Sequence, residues 1–227
     1  MTTLHLSGED SRRRRLSQSQ RARLARGYVL AGGASARFGQ DKALLRLAGK
    51  PALGRMLEVL GESGVREMIV VGEKSRYGHL GSRCIKDKWP GEGPLGGIVT
   101  ALWNSVPQKY GYVWNLIVSC DMPFLAGEWL AYLVRRAAAS DAEIVVPCSV
   151  SGLEPLCACW RTTAVTTLKD AFDRGVRKVS EGIALLRAEV VDESEWKRFD
   201  NEGRLFWNMN TPAEYEEARR ILEAQNR

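Results

Sequence analysis

The stretch Tyr28-Val29-Leu30-Ala31-Gly32-Gly33-Ala34-Ser35-Ala36-Arg37-Phe38-Gly39-Gln40-Asp41-Lys42 decides how this chain is to be read. Its first three residues make a short apolar β-strand, and a glycine pair follows almost at once. With no Cβ, two glycines let backbone N–H groups approach an anion closely. Ser35 adds a hydroxyl, and Arg37 and Lys42 bring two positive charges onto the same loop. The segment reads as a polyphosphate cradle at the carboxyl end of a strand. It is not a Walker A loop, which closes on Gly-Lys-Ser/Thr, nor the Gly-x-Gly-x-x-Gly dinucleotide fingerprint.

Outward from this loop, short apolar runs alternate with amphipathic segments, the pattern of an α/β sheet with crossover helices. The spacing predicts strands over 28–30, 68–71, 113–119, 144–147, 156–160 and 189–191. It predicts helices over 52–63, 97–105, 127–139, 162–174 and 212–224. Ser149-Val150-Ser151-Gly152 interrupts the second half as a hairpin turn. No repeat or low-complexity linker follows residue 26, so residues 27–227 are expected to form a single domain. In doubly wound sheets ligands gather at the carboxyl ends of the strands, and the chemically loaded residues fall there.

The chain has 227 residues, 44% hydrophobic and 26% charged, with a formal charge of +6. It can bury a sizeable core and has no run of about 18 apolar residues. Composition therefore excludes a disordered acidic chain and a helical membrane span. The basic balance invites a nucleic-acid reading until the charges are located. Residues 1–26 hold seven arginines and two acids, and the remaining 201 residues hold 26 Lys+Arg against 25 Asp+Glu. A nearly neutral body does not suit a groove whose affinity comes from counterion release. The first 26 residues read as a disordered basic tail, since like charges with low hydrophobicity do not fold. Their arginines resemble a targeting signal, but the apolar stretch that follows is too short, and cleavage after Ala36 would cut the glycine loop.

The five cysteines are odd in number and show no Cys-x-x-Cys, which fits buried thiols in a reducing cytoplasm. Cys157 and Cys159 would share one face of a strand, a poor zinc site without histidine partners. With His5 in the tail and only His79 beyond it, a Ser-His or Cys-His nucleophile is not expected.

Three further motifs carry chemistry. Val118-Ser119-Cys120-Asp121-Met122-Pro123-Phe124 puts an acid where an apolar strand emerges, and Asp121 there can hold Mg²⁺ against a triphosphate; the alternative is a turn-forming aspartate. Ile85 to Gly97 is rich in glycine and proline and can mould around a flat base. Asp87 in it can accept from base or ribose, or the segment is an ordinary surface loop. In Phe206-Trp207-Asn208-Met209-Asn210-Thr211-Pro212, alternate asparagines on extended chain share a face. Either can complete a metal shell opposite Asp121, while Asn210 or Thr211 can instead cap the helix that follows.

Taken in order, these motifs resemble the molybdenum cofactor guanylyltransferases, within the wider group of cofactor and sugar-phosphate nucleotidyltransferases. The carrying residues are Leu30-Ala31-Gly32-Gly33, Arg37-Phe38-Gly39, Asp41-Lys42-Ala43-Leu44-Leu45, Gly49-Lys50-Pro51, Gly93-Pro94-Leu95-Gly96-Gly97, Cys120-Asp121-Met122-Pro123-Phe124 and Asn208-Met209-Asn210-Thr211-Pro212. The resemblance runs from about Gly27 to the last helix and omits the tail.

It implies a three-layer Rossmann-like nucleotidyltransferase fold, with a mostly parallel sheet and helices on both faces. It also implies transfer of GMP from GTP, with Mg²⁺, to the terminal phosphate of molybdenum-molybdopterin, with release of pyrophosphate. By position, Leu30, Ala31, Gly32, Gly33, Ser35, Lys42, Gly72, Asp87 and Asp121 would contact GTP. Arg37, Lys42 and Asp121 would be catalytic, and Asp121 with Asn210 would hold the metal. Lys178, Asn208 and Asn210 would lie on the pterin side. Two positions depart from the pattern: Gly72 stands where the family often has Asn, and Glu154 precedes Pro155 where the family commonly has Gln or His. Expected partners are GTP, molybdenum-molybdopterin and, transiently, molybdopterin-loading and molybdoenzyme proteins. Neither nucleic acid nor membrane is expected, and the chain should be a cytoplasmic monomer. Competing readings are a cytidylyl- or sugar-phosphate nucleotidyltransferase on the same fold, and a non-catalytic nucleotide-binding cofactor-delivery protein.

Overall fold

The computed structural model describes residues 25–32, 40–65, 67–106, 113–200 and 202–225. Along the chain run β1 (Ala25–Leu30), a 3₁₀ turn (Lys42–Leu44), β2 (Arg46–Leu47), β3 (Lys50–Pro51), α1 (Ala52–Glu62), β4 (Met68–Val71), α2 (Lys74–Tyr77) and β5 (Arg83–Ile85). Then come α3 (Pro94–Ser105), β6 (Trp114–Ser119), α4 (Gly127–Ala139), β7 (Ile144–Ser149), β8 (Gly152–Leu153) and β9 (Cys157–Arg161). The chain continues with α5 (Ala164–Asp173), α6 (Val179–Ile183), β10 (Ala188–Val191), α7 (Glu193–Trp196) and α8 (Pro212–Gln225).

One sheet has the order β10-β7-β9-β6-β1-β4-β5, with β8 pairing β7 beside it. β1 runs parallel to β4 and β6, and β9 runs antiparallel between β6 and β7. The sequence motif at 149–152 is the turn of a hairpin in which Cys148 faces Leu153.

The side-chain period of two splits each strand between two cores. Val29, Val70, Leu116, Val118, Cys157 and Cys159 face one layer, covered by α1 and α4 through Leu53, Leu60, Trp129 and Leu133. Tyr28, Ile69, Val71, Ile117, Ala158 and Trp160 face the other, covered by α3, α5 and α6 through Ile98, Leu102, Leu168 and Ile183. These are the three layers that the sequence predicts. Each fully buried aliphatic side chain contributes about 1.5–3 kcal/mol, and Leu116→Ala in the central strand would cost about 2–5 kcal/mol. A small third core joins Leu47 and Ala52 to Met209, Ala218 and Leu222, so α8 closes over the β2–β3 hairpin.

Two boundaries differ from the sequence expectation for physical reasons. β1 starts at Ala25, and Arg26, counted with the basic tail, is 1% exposed within that strand. Its guanidinium pairs with Glu67 at 2.7 Å and reaches the Tyr28 hydroxyl, so the burial is compensated. α3 starts at Pro94 rather than Gly97. Proline's fixed φ suits a first helical turn, and Gly93, at φ +83°, makes the entry that a side chain would resist. The short edge strand β5 and the single-turn helices carry too few residues to show a period, and the pattern does not predict them.

Candidate active site

β1 and β6 are paired from Ala25↔Trp114 to Leu30↔Ser119, so the chain leaves both strands at one edge of the sheet. Gly32 is exposed there, and Asp121 follows β6 directly. The glycine loop's Gly33, Ser35 and Arg37 lie outside the described residues. Of its neighbours, Leu30 and Ala31 turn their side chains into the two cores. The Ala31 N–H donates to Val71 O at 3.0 Å. Any contact these two residues make with a nucleotide is therefore through a main-chain carbonyl or the edge of the side chain.

Lys42 opens the 3₁₀ turn, with Asp41 as its cap: Asp41 Oδ1 accepts from Ala43 N at 3.1 Å. Lys42 Nζ donates to Asn210 Oδ1 at 3.3 Å across 168 residues of sequence. The segment carrying Asn210 is pinned beside Asp121, whose main-chain oxygen accepts from Met209 N at 2.9 Å. Met209 is fully buried in the third core. Its asparagine neighbours turn away from that core: Asn210 is exposed and Asn208 half-buried, with Asn208 Nδ2 on Phe206 O. Lys42, Asp121 and Asn210 are thus drawn together from three remote segments.

The Asp121 carboxylate is the unusual group. Its Oδ1 is buried and accepts no hydrogen bond from the described residues. Leaving such an acceptor unpaired costs about 1–3 kcal/mol, more for a charged group. The same carboxylate helps raise the Cys120 thiol, after burial as the larger cause. Among the described residues no cluster of three or more His, Cys, Asp or Glu is set for a metal. A lone carboxylate with an adjacent amide fits Mg²⁺, which takes few protein ligands and completes its shell with water and phosphate.

The remaining sequence candidates are placed as follows. Asp87 Oδ1 accepts from Trp89 N at 3.0 Å and Thr100 Oγ1 at 2.9 Å, so one oxygen shapes its own loop, and any ligand would meet the other. Gly72 is buried, its N–H donating to Ile85 O at 2.8 Å. A Cβ there would lie 2.6 Å from Ala31 O and 2.6 Å from the Tyr77 ring. Lys178 is exposed at the start of α6 and pairs with Glu181 at 3.8 Å. Its neighbour Arg177 is tied to Glu92 at 2.6 Å, which places this turn beside the loop before α3.

The sequence offers Asn210 or Thr211 as the cap of the last helix and the structure selects Thr211; two features at this edge go beyond that reading. Thr211 and Glu214 form a reciprocal cap on α8, with Glu214 Oε2 accepting from Asn210 N and Thr211 N, both at 2.7 Å. The Thr-x-x-Glu spacing signals that cap. The second is a cavity of about 520 Å³ at the end of β7, lined by Ser149, Glu154, Trp196, Phe206 and Trp207 among others. Glu154 Oε1 accepts from Ser149 Oγ at 2.6 Å, and Trp207 stacks on Phe124 at 5.3 Å, three residues past Asp121. All five cysteines are free. Cys157 and Cys159 share the core face expected of them, and burial pushes the Cys157 thiol up to about 12.

A mostly parallel sheet whose edge combines Gly32 after β1, a lysine-bearing turn and a strand-end aspartate defines an α/β nucleotide-handling protein of the nucleotidyltransferase kind. The chain belongs to the family described as MobA-like NTP transferase domain, which matches residues 27–189. The probable molybdenum cofactor guanylyltransferase of Pelotomaculum thermopropionicum is 32% identical over 199 residues, covering 88% of this chain and 94% of that one. The protein of the same description from Chloroflexus aggregans is 30% identical over 192 residues, covering 82% and 89%. The crystal structure of molybdopterin-guanine dinucleotide biosynthesis protein A from Archaeoglobus fulgidus superposes with a TM-score of 0.74 at 25% identity, over 88% of this chain and 99% of that one.

Proposed function

We propose that the protein transfers GMP from GTP to the terminal phosphate of molybdenum-molybdopterin, forming the guanine dinucleotide cofactor and releasing pyrophosphate. The observation that carries the reading is the convergence at one sheet edge of Lys42, Asn210 and an Asp121 oxygen that no described residue satisfies. The names of the relatives supply the nucleotide and the acceptor.

In this reading Lys42 neutralises the phosphates of GTP, with Arg37 and the glycine loop, including Gly33 and Ser35, completing the cradle. Asp121 and Asn210 would hold Mg²⁺, and its charge would lower the repulsion between nucleotide and acceptor phosphates. An acceptor phosphate oxygen bonds to the α-phosphorus of GTP, and the bond to the bridging β-oxygen breaks. The attacking phosphate is already an anion, so the step requires no histidine base. Such transfer depends on positioning and charge neutralisation, which suits a site assembled from one lysine, amides and a carboxylate.

The cavity beside Glu154 and Trp207 takes the pterin ring, with Asn208 at its junction with the phosphate site. A carboxylate accepts the paired N–H groups that a pterin presents, and a stacked tryptophan suits a flat heterocycle. Lys178 remains a solvent-facing cation for the acceptor's phosphate on the opposite rim. Mg²⁺ dependence and a cytoplasmic location belong to the same proposal. Five free thiols agree with a reducing compartment, and no helix among the described residues is long and apolar enough to cross a membrane.

The test is pyrophosphate release from GTP with Mg²⁺ and molybdenum-loaded molybdopterin. Lys42→Ala and Asp121→Ala should each abolish it, and undiminished release by both would sink the assigned roles. Replacement of GTP by CTP tests the base: equal turnover would favour the cytidylyl alternative.

A further inference from the structure

We propose that Tyr77, assisted by Arg76, is a positioning residue for nucleotidyl transfer: it fixes the Asp41 carboxylate, which in turn sets the turn that presents Lys42. This rests on the reading of Lys42 as the ligand of the GTP phosphates.

The geometry links two loops that share no sequence neighbourhood. Asp41 follows β1, and Tyr77 lies 36 residues on, in α2 after β4. The Tyr77 hydroxyl donates to Asp41 Oδ2 at 2.8 Å, and Arg76 Nη2 meets the same oxygen at 2.9 Å. The other oxygen, Oδ1, caps the Lys42–Leu44 turn through Ala43 N. Both oxygens are therefore engaged, one by the turn and one by α2. A carboxylate next to a phosphate-binding lysine would compete for that lysine, or for a cation, if it were loose. Here three donors hold it in one orientation.

Tyr77 suits this task because it is rigid. It is 2% exposed, whereas the Arg76 side chain is 55% exposed and its attraction is screened by water. Burial raises the Tyr77 hydroxyl well above its ordinary value, with Asp41 adding to the rise, so it stays protonated and donating throughout the assay range. Room for the ring comes from Gly72, where a Cβ would sit 2.6 Å from Tyr77 Cε2 and 2.8 Å from Cδ2. Gly72 therefore serves the site by admitting Tyr77.

The experiment is a double-mutant cycle on the full chain: the parent protein, Tyr77→Phe, Lys42→Ala and the pair. Turnover is followed by pyrophosphate release, and the GTP dissociation constant by equilibrium dialysis, which needs no turnover. Phenylalanine keeps the ring and deletes only the hydroxyl. In the parent background Tyr77→Phe should lower kcat/KM for GTP roughly ten-fold, the loss expected for one hydrogen bond to a charged group. In the Lys42→Ala background, where turnover is abolished, the cycle is read from GTP affinity, which Tyr77→Phe should weaken in the parent and change less than about two-fold here, since the residue it acts through is gone. Asp41→Asn should reproduce the Tyr77→Phe effect. Equal losses from Tyr77→Phe in both backgrounds, or none in either, would overturn this proposal alone. A fully active Lys42→Ala would overturn the Lys42 reading beneath it.

Discussion

Replacing Asp121 by asparagine separates the functional from the structural content of the site. The side chain keeps its shape and loses its charge, and the main-chain bond from Met209 N at 2.9 Å is untouched. In the folded protein Oδ1 is buried and accepts no hydrogen bond from the described residues. A structural aspartate would lose donors on such a change, whereas this one has none on that oxygen to lose. Removing the charge relieves part of a penalty of about 1–3 kcal/mol. In EDTA the variant should therefore be as stable as the parent, or more stable by on the order of 1 kcal/mol. For a chain of this length 1 kcal/mol corresponds to a rise in Tm of about 2–4 °C.

Added Mg²⁺ should reverse the order. A ligand at about one hundred times its dissociation constant stabilises the folded state by about 2.7 kcal/mol. The parent should gain this and Asp121→Asn should not. Turnover should fall by roughly two to three orders of magnitude, the scale of losing one electrostatic contact to the developing charge. Thermal melts with EDTA, with Mg²⁺ and with Mg²⁺ plus GTP, set beside pyrophosphate release, give all three readings. The reasoning fails if Asp121→Asn melts several degrees below the parent in EDTA, because the carboxylate would then be a structural acceptor. A Mg²⁺-induced shift that survives the substitution refutes it equally.

Three further outcomes follow from the same geometry. Thr211→Ala removes the cap of α8 and loosens the asparagine segment. It should cost about 1 kcal/mol, read as a Tm fall of a few degrees, with a larger loss in turnover than that fall explains. Gly72→Ala should cost about 1–3 kcal/mol of overpacking and lower turnover through the displaced Tyr77; an unchanged melt would show that the contact yields freely. For Glu154, burial raises the carboxyl above its ordinary value, partly offset by the Ser149 hydroxyl. The stability tied to its protonated form is full below the unfolded value of about 4.3 and is lost as pH rises through the higher folded value. Glu154→Gln removes that loss, so its Tm relative to the parent should climb as pH rises from about 4 through the folded value, and a flat difference would contradict the assignment.

Much of this fold is legible in the sequence because the central strands are apolar on both faces and their helices amphipathic. The runs at 68–71 and 127–139 coincide with β4 and α4 residue for residue. Arg26 was misread because charge counts in sequence carry no information on burial. Glu67, 41 residues away, and the Tyr28 hydroxyl help make an arginine tolerable inside β1. Within the site, Lys42, Asp121 and Asn210 are readable because each ends a strand or opens a helix. Tyr77 is not readable, since nothing local distinguishes a tyrosine packed in a core from one whose hydroxyl crosses to another loop. The cavity at Glu154 escapes for a related reason: its walls come from the β7–β8 hairpin and from 193–207, which β10 brings beside it by pairing with β7.

The two aspartates at the site show why residue type alone does not assign a role. Asp41 and Asp121 both follow apolar strands or their loops, and both lie near Lys42. Asp41 has each oxygen on protein donors, from Ala43, Tyr77 and Arg76. Folding has already satisfied it, so it has little to offer a ligand and much to offer the shape of its turn. Asp121 is half-buried, with one buried oxygen that accepts no hydrogen bond from the described residues, a condition that folding alone does not reward. An unpaired buried charge persists where a ligand compensates it. The same distinction applies to the charge of +6. Six of the seven N-terminal arginines precede β1, and in the proposed function the positive charge that matters is that of Lys42 with Arg37. In the proposed function a triphosphate facing Asp121 would supply the anion for Lys42 and, through its cation, a partner for that oxygen.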